Sequence, residues 1–151
     1  MDKRSIFFTF LFAISLVCIN SQETPATPSG TTGCTCTVRN LAGHITNSPL
    51  IFSGRVANIV SSDNNNKIYF YINTVFKGKT TSNRMIINTP KTLNACGYNF
   101  IKGGEYLVYT QYDNNRKLTI SACSRTKLLE NSCEDLFAIS RFRLPAVRPS
   151  S

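Results

Sequence analysis

From Leu50 onward the chain alternates apolar and polar residues in short runs broken by turn residues. Leu50–Val60 reads as one long strand, with Gly54 placed for a bulge or bend. Asp63-Asn64-Asn65-Asn66 is a turn, after which Lys67–Val75 puts Ile68, Phe70 and Ile72 on one face and Tyr69 and Tyr71 on the other. Phe76-Lys77-Gly78-Lys79 closes that strand. Met85–Ile87 is a short third strand ended by Asn88-Thr89-Pro90. Lys102-Gly103-Gly104 turns into Tyr106–Tyr112, and Asp113-Asn114-Asn115 turns again into Lys117–Ser121. Five strands joined by polar turns and bent at glycines suit a small closed barrel, since closure leaves no exposed edge.

Helical spacing appears on either side of this β region. Arg39–Ser48 predicts a short helix stopped before Pro49. Near the C-terminus Leu129, Cys133, Leu136, Phe137 and Ser140 share one helix face, with Ser132 and Asp135 spaced as a capping pair. Pro145 stops this helix and Pro149 keeps the tail extended. The expected fold is thus mainly β, with a short N-terminal helix and a C-terminal helix.

The first residues change the compartment. Lys3 and Arg4 precede an apolar stretch, Ile6–Ile19, followed by polar Asn20-Ser21-Gln22. The stretch is too short for a membrane span and reads as a cleaved secretory leader over 1–21. Gln22–Gly33 is a Thr, Pro, Ser and Gly arm with little to bury. One domain follows over 34–143, then a tail over 144–151. A secreted, extracellular chain with no membrane association after leader removal is expected.

Charge and cysteines come next. The chain holds 17 Lys+Arg against 8 Asp+Glu, and removing Lys3, Arg4 and Asp2 leaves 15 against 7. Outside the cell, such a balance suits sulfated polysaccharide, matrix or another acidic partner rather than nucleic acid. Arg141, Arg143 and Arg148 are candidate polyanion contacts; Tyr69, Tyr71, Tyr106, Tyr109 and Tyr112 are either barrel packing or an aromatic binding face. Five cysteines follow the leader: Cys34, Cys36, Cys96, Cys123 and Cys133. Cys34 and Cys36, one residue apart, are poorly placed to pair with each other, so each needs a distant partner, and Cys96 and Cys123 are available. An odd count leaves one thiol over, and spacing alone does not say which.

Several segments, in order, resemble the netrin-like domain, and within it the N-terminal domain of the tissue inhibitors of metalloproteinases. They are Cys34-Thr35-Cys36-Thr37-Val38, Phe52-Ser53-Gly54-Arg55-Val56, Val75-Phe76-Lys77-Gly78, Cys96-Gly97-Tyr98, Gly104–Tyr109, Cys123-Ser124-Arg125-Thr126 and Glu134-Asp135-Leu136. The resemblance implies a five-stranded oligonucleotide/oligosaccharide-binding barrel, bridges Cys34–Cys96 and Cys36–Cys123, and Cys133 as the unpaired thiol, because the family's third bridge has no first partner between Cys36 and Cys96. It also implies a zinc metalloendopeptidase as partner. In inhibitory members the residue matching Cys34 begins the mature chain, and its α-amino nitrogen and carbonyl oxygen chelate the protease zinc. The residue matching Thr35 enters the specificity pocket, so Cys34, Thr35, Cys36, Thr37 and Val38 are the implied inhibitory ridge. This sequence departs from that pattern in placing 12 residues, Gln22–Gly33, between the leader and Cys34. A second cut after Gly33 is needed for chelation. Without it, the alternative is a basic module that holds matrix polysaccharide or a partner protein.

Catalysis is not expected. One histidine, His44, no close carboxylate pair and cysteines committed to bridges supply no nucleophile–base constellation, no metal site of its own and no cofactor site.

Overall fold

The structure is a computed structural model that describes residues 33–143. The leader, most of the arm and the tail lie outside the described residues. Helix α1 (Leu41–Asn47) is followed by strands β1 (Ile51–Ser61), β2 (Asn65–Lys77), β3 (Arg84–Pro90), β4 (Glu105–Tyr109), β5 (Gln111–Tyr112), β6 (Leu118–Thr119) and β7 (Lys127–Leu128), then helix α2 (Cys133–Arg143). Short 3-10 turns occupy Leu93–Ala95 and Leu129–Asn131. The α1 N-terminus forms because the Asn40 side chain accepts a hydrogen bond from the Gly43 N–H at 2.8 Å.

Among the described residues the strands make one seven-stranded sheet in the order β5-β6-β3-β2-β1-β4-β7, rather than the expected five. Two local causes account for the difference. Thr110 interrupts the predicted Tyr106–Tyr112 strand: its hydroxyl donates to Leu50 O and accepts from Leu50 N, which splits the segment into β4 and β5. The β7 pair, against Tyr106 and Leu107, is too short to show an alternating pattern in the sequence. Because β4 and β5 are separated by one residue yet lie toward opposite sides of the sheet order, the sheet must curl, and it does so into a half-barrel. The bend at Gly54 is present. Register shifts between Ser53 and Gly54, where an added Cβ would come 2.8 Å from the Tyr71 carbonyl oxygen.

The curl sorts side chains into two clusters. Inside it, Leu50, Phe52, Val56, Ile68, Phe70, Ile87, Tyr106, Val108 and Ile120 pack together. Phe52–Phe70 and Phe70–Phe100 meet edge to face at 5.4 Å. On the outer face, Ile51, Leu107 and Tyr109 meet Ile45 of α1 and Ile139 of α2. Lys77 ties α1 to the sheet by donating from Nζ to the Ile45 and Thr46 carbonyls at 2.7 and 2.6 Å.

Helix α2 turns a different face inward from the predicted one. Asp135 and Ile139 are buried and Leu136 and Ala138 pack against the outer cluster, whereas Phe137 is 63 % exposed and Ser140 is exposed. The predicted capping pair does not form either. Ser132 Oγ donates to the Leu128 carbonyl and the Asp135 carboxylate is engaged elsewhere.

Candidate functional site

Cys34–Asn40 carries no regular secondary structure, and its side chains from Thr35 to Asn40 are exposed, Val38 at 97 %. An apolar side chain that open is unusual for a segment held in place. The holding is covalent. Cys34 bridges Cys96 with Cα atoms 5.1 Å apart, and Cys36 bridges Cys123 at 5.2 Å, both within the range a disulfide requires. The two bridges touch, with Cys34 Sγ 3.7 Å from Cys123 Sγ and Cys96 Sγ 4.0 Å from it. Thr35 is therefore suspended between two anchors one residue to either side.

Both receiving loops are themselves rigid. Cys96 takes φ 62°, the left-handed conformation, at the end of the Leu93–Ala95 turn, donating its N–H to Leu93 O at 2.9 Å. Gly97 then donates to Thr92 O at 2.8 Å, and a Cβ there would run into the Pro90 carbonyl. Ala122 N–H donates to Cys96 O at 2.8 Å, joining the two loops directly. Lys91 N–H donates to Asn64 O at 3.0 Å, which brings the β1–β2 turn alongside. The exposed segment is thus bridged to two connected loops, 91–96 and 122–124, and the first of these is hydrogen-bonded to the 62–65 turn.

Beneath the Cys123 loop lies a buried ionic network. Asp135, 0 % exposed, accepts from Tyr109 Oη at 2.8 Å, Arg125 Nε at 2.8 Å and Lys127 Nζ at 3.1 Å. Burial alone raises the Asp135 pKa, but the hydrogen bonds from Arg125, Tyr109 and Lys127 outweigh it and hold the carboxyl below its ordinary range. The hydrogen bond with Asp135 pushes the Arg125 pKa up, and burial followed by the Asp135 charge pushes the Tyr109 hydroxyl up. Glu134 adds a second, exposed carboxylate 3.0 Å from Arg125. Thr126 Oγ1 accepts from Tyr109 N–H at 3.0 Å, so residues 125–127 are clamped between β4 and α2. Pattern reading missed this network because an Asp beside Glu134 in the first turn of a helix reads as a capping, solvent-facing residue.

The remaining sequence candidates separate cleanly. His44 is half-buried, its ring centre 6.5 Å from that of Tyr109 in an edge-to-face arrangement. Burial and then the charges of Arg125 and Arg39 lower its pKa, so it is neutral at pH 7. Tyr106 and Tyr109 are buried, whereas Tyr71 and Tyr112 are exposed and Tyr69 is half-exposed. Burial, then the neighbouring Tyr106, pushes the Tyr98 hydroxyl up to about 12. Arg141 lies with its guanidinium 5.0 Å from the Phe137 ring centre, the Arg143 side chain is not among those described and Arg148 lies outside the described residues. No described contact brings the three arginines together.

The expected unpaired thiol at Cys133 is a correction. Cys133 is disulfide-bonded, and among the described residues no cysteine is free. The sulfurs of Cys34, Cys96 and Cys123 lie within 4.8 Å of one another, but bridging consumes the thiolate character that metal coordination needs. A groove beside the helices, lined by Ile45, Thr46, Phe76, Lys77, Ile139 and Phe142, has one titratable side chain and no constellation for catalysis.

No family model matches this chain, and no curated protein sequence is found similar to it. No helix among the described residues is long and apolar enough to cross a membrane, and the two bridges are compatible with an extracellular location.

Proposed function

We propose that this chain is a secreted inhibitor of zinc endopeptidases, of the netrin-like, tissue-inhibitor type, which acts once the residues ahead of Cys34 are removed. The observation that carries the reading is the exposed Cys34–Val38 segment, fixed at Cys34 and Cys36 by touching bridges to two hydrogen-bonded loops. A ligand that plugs an open coordination position gains most when it enters without losing conformational freedom, and two anchors around Thr35 supply that rigidity. Cleavage after Gly33 would give Cys34 a free α-amino group with a pKa of about 8, able to shed its proton and bind metal beside its own carbonyl oxygen. Within the uncut chain that nitrogen is an amide with a delocalised lone pair and is no ligand. Thr35 would then fill the specificity pocket, with Thr37 and Val38 against the cleft wall and the 62–65 and 91–96 loops flanking them.

Two forms of the protein test this, one beginning at Gln22 and one at Cys34, titrated against a panel of zinc endopeptidases. The Cys34 form is expected to inhibit at stoichiometric concentration. The Gln22 form, and the Cys34 form with its α-amino group acetylated, are expected to be inactive as inhibitors. A correctly bridged Cys34 form that inhibits none of the panel sinks the proposal.

A further inference from the structure

The helices cover only one end of the sheet's outer face, where Ile51, Leu107 and Tyr109 are buried beneath them. Farther along, the outward residues of β1, β2 and β3 stand uncovered. Cross-strand register aligns Arg55, Tyr71 and Arg84 in one row, Asn58, Tyr69 and Ile86 in the next, and Val60, Lys67 and Asn88 beyond. Tyr71 is 45 % and Ile86 56 % exposed, and Arg55, Lys67 and Arg84 are exposed. This surface is built rather than loose. The Arg84 guanidinium lies 5.2 Å from the centre of the Tyr71 ring, and Arg55 Nε donates to the Gly103 carbonyl at 3.2 Å. Lys102, beside that carbonyl, is exposed as well. Glu105 is aligned with Arg55 on β4, yet among the described residues no carboxylate lies within ion-pair distance of Arg55, Lys67 or Arg84.

We propose that this uncovered β1–β3 face binds a sulfated polysaccharide. Neighbouring strands are about 4.8 Å apart, so Arg55 and Arg84 straddle Tyr71 by roughly 10 Å. Their planar guanidinium groups can each take a sulfate through paired N–H donors, as they take phosphate and carboxylate. Tyr69 and Ile86 give the apolar strip that a sugar ring's C–H face packs against. Lys67 and Lys102 extend the positive field along and across the strands. Charge complementarity selects a polyanion, and the oxidising compartment the bridges require makes sulfated sugar a better fit than nucleic acid. The site uses none of Cys34–Val38 and stands whether or not the chain inhibits a protease.

The full chain, titrated with a heparin-derived octasaccharide, tests this. Parent protein is expected to bind with affinity that falls as salt rises. The double variant Arg55→Glu/Arg84→Glu is expected to lose at least about tenfold in affinity, since two charge-assisted contacts are replaced by like-charge repulsion. Arg55→Lys/Arg84→Lys retains most binding, and Arg141→Glu binds as the parent does. Thermal unfolding of each variant shows that the fold is kept. Parent-like binding by the double Glu variant overturns the proposal. So does a parent that ignores the octasaccharide, one that binds a single-stranded oligonucleotide of equal charge more tightly, or a loss confined to Arg141→Glu.

Discussion

A carboxylate with no exposed surface needs its lone pairs answered from within the protein, and Asp135 is answered by Tyr109, Arg125 and Lys127. Removing it strands two partly buried cations, so Asp135→Ala should cost about 3 kcal/mol, read by urea unfolding. The same group sets the acid limit. Its folded pKa lies below the unfolded value, so the stability it contributes is complete above about pH 4 and is lost as pH falls through the folded pKa. His44 acts earlier. Its folded pKa is also lowered, so between about pH 6.5 and that value the unfolded chain binds the extra proton and stability declines as pH falls. Unfolding free energy measured from pH 8 down to pH 2 should therefore fall in two stages, and His44→Gln should remove only the upper one.

Helix α2 shows how a regular pattern can name the right element and the wrong face. Leu129, Cys133, Leu136, Phe137 and Ser140 fit helical spacing, yet the buried pair is Asp135 and Ile139. Hydrophobicity ranks Phe137 above Asp135. The ranking reverses because Arg125 and Lys127 wait on the sheet side, and periodicity within one segment carries no information about them. β2 had no such competitor, and Ile68 and Phe70 lie inside as their alternation required. Loop geometry is likewise set by backbone contacts that a pattern does not reveal. Gly97→Ala should force its new Cβ against Pro90 O, displace Cys96 and destabilise the fold by about 1–3 kcal/mol. Amide hydrogen exchange should localise the loosening to 92–98 and to residues 35–37 across the bridge.

The bridges matter most for so small a fold. They span 62 and 87 residues, and chain entropy assigns each about 4 kcal/mol, a large part of the stability of a domain this size. Replacing Cys36 and Cys123 together by Ser should lower the thermal midpoint by many degrees while leaving β-sheet circular dichroism intact at low temperature. A variant that melts with the parent would show that the sheet and the Asp135 network already hold the 122–127 loop in place. By itself the sequence determined the β class, the first three strands, the flanking helices and the choice of Cys34 and Cys36 as anchors, because local alternation, turn residues and cysteine spacing act over a few neighbours. Only the tertiary structure decided the split at Thr110, the pairing of β7, the burial of Asp135 and the Arg55–Tyr71–Arg84 row. Each of those rests on a contact between residues far apart in the chain, and such contacts exist only once the sheet has curled.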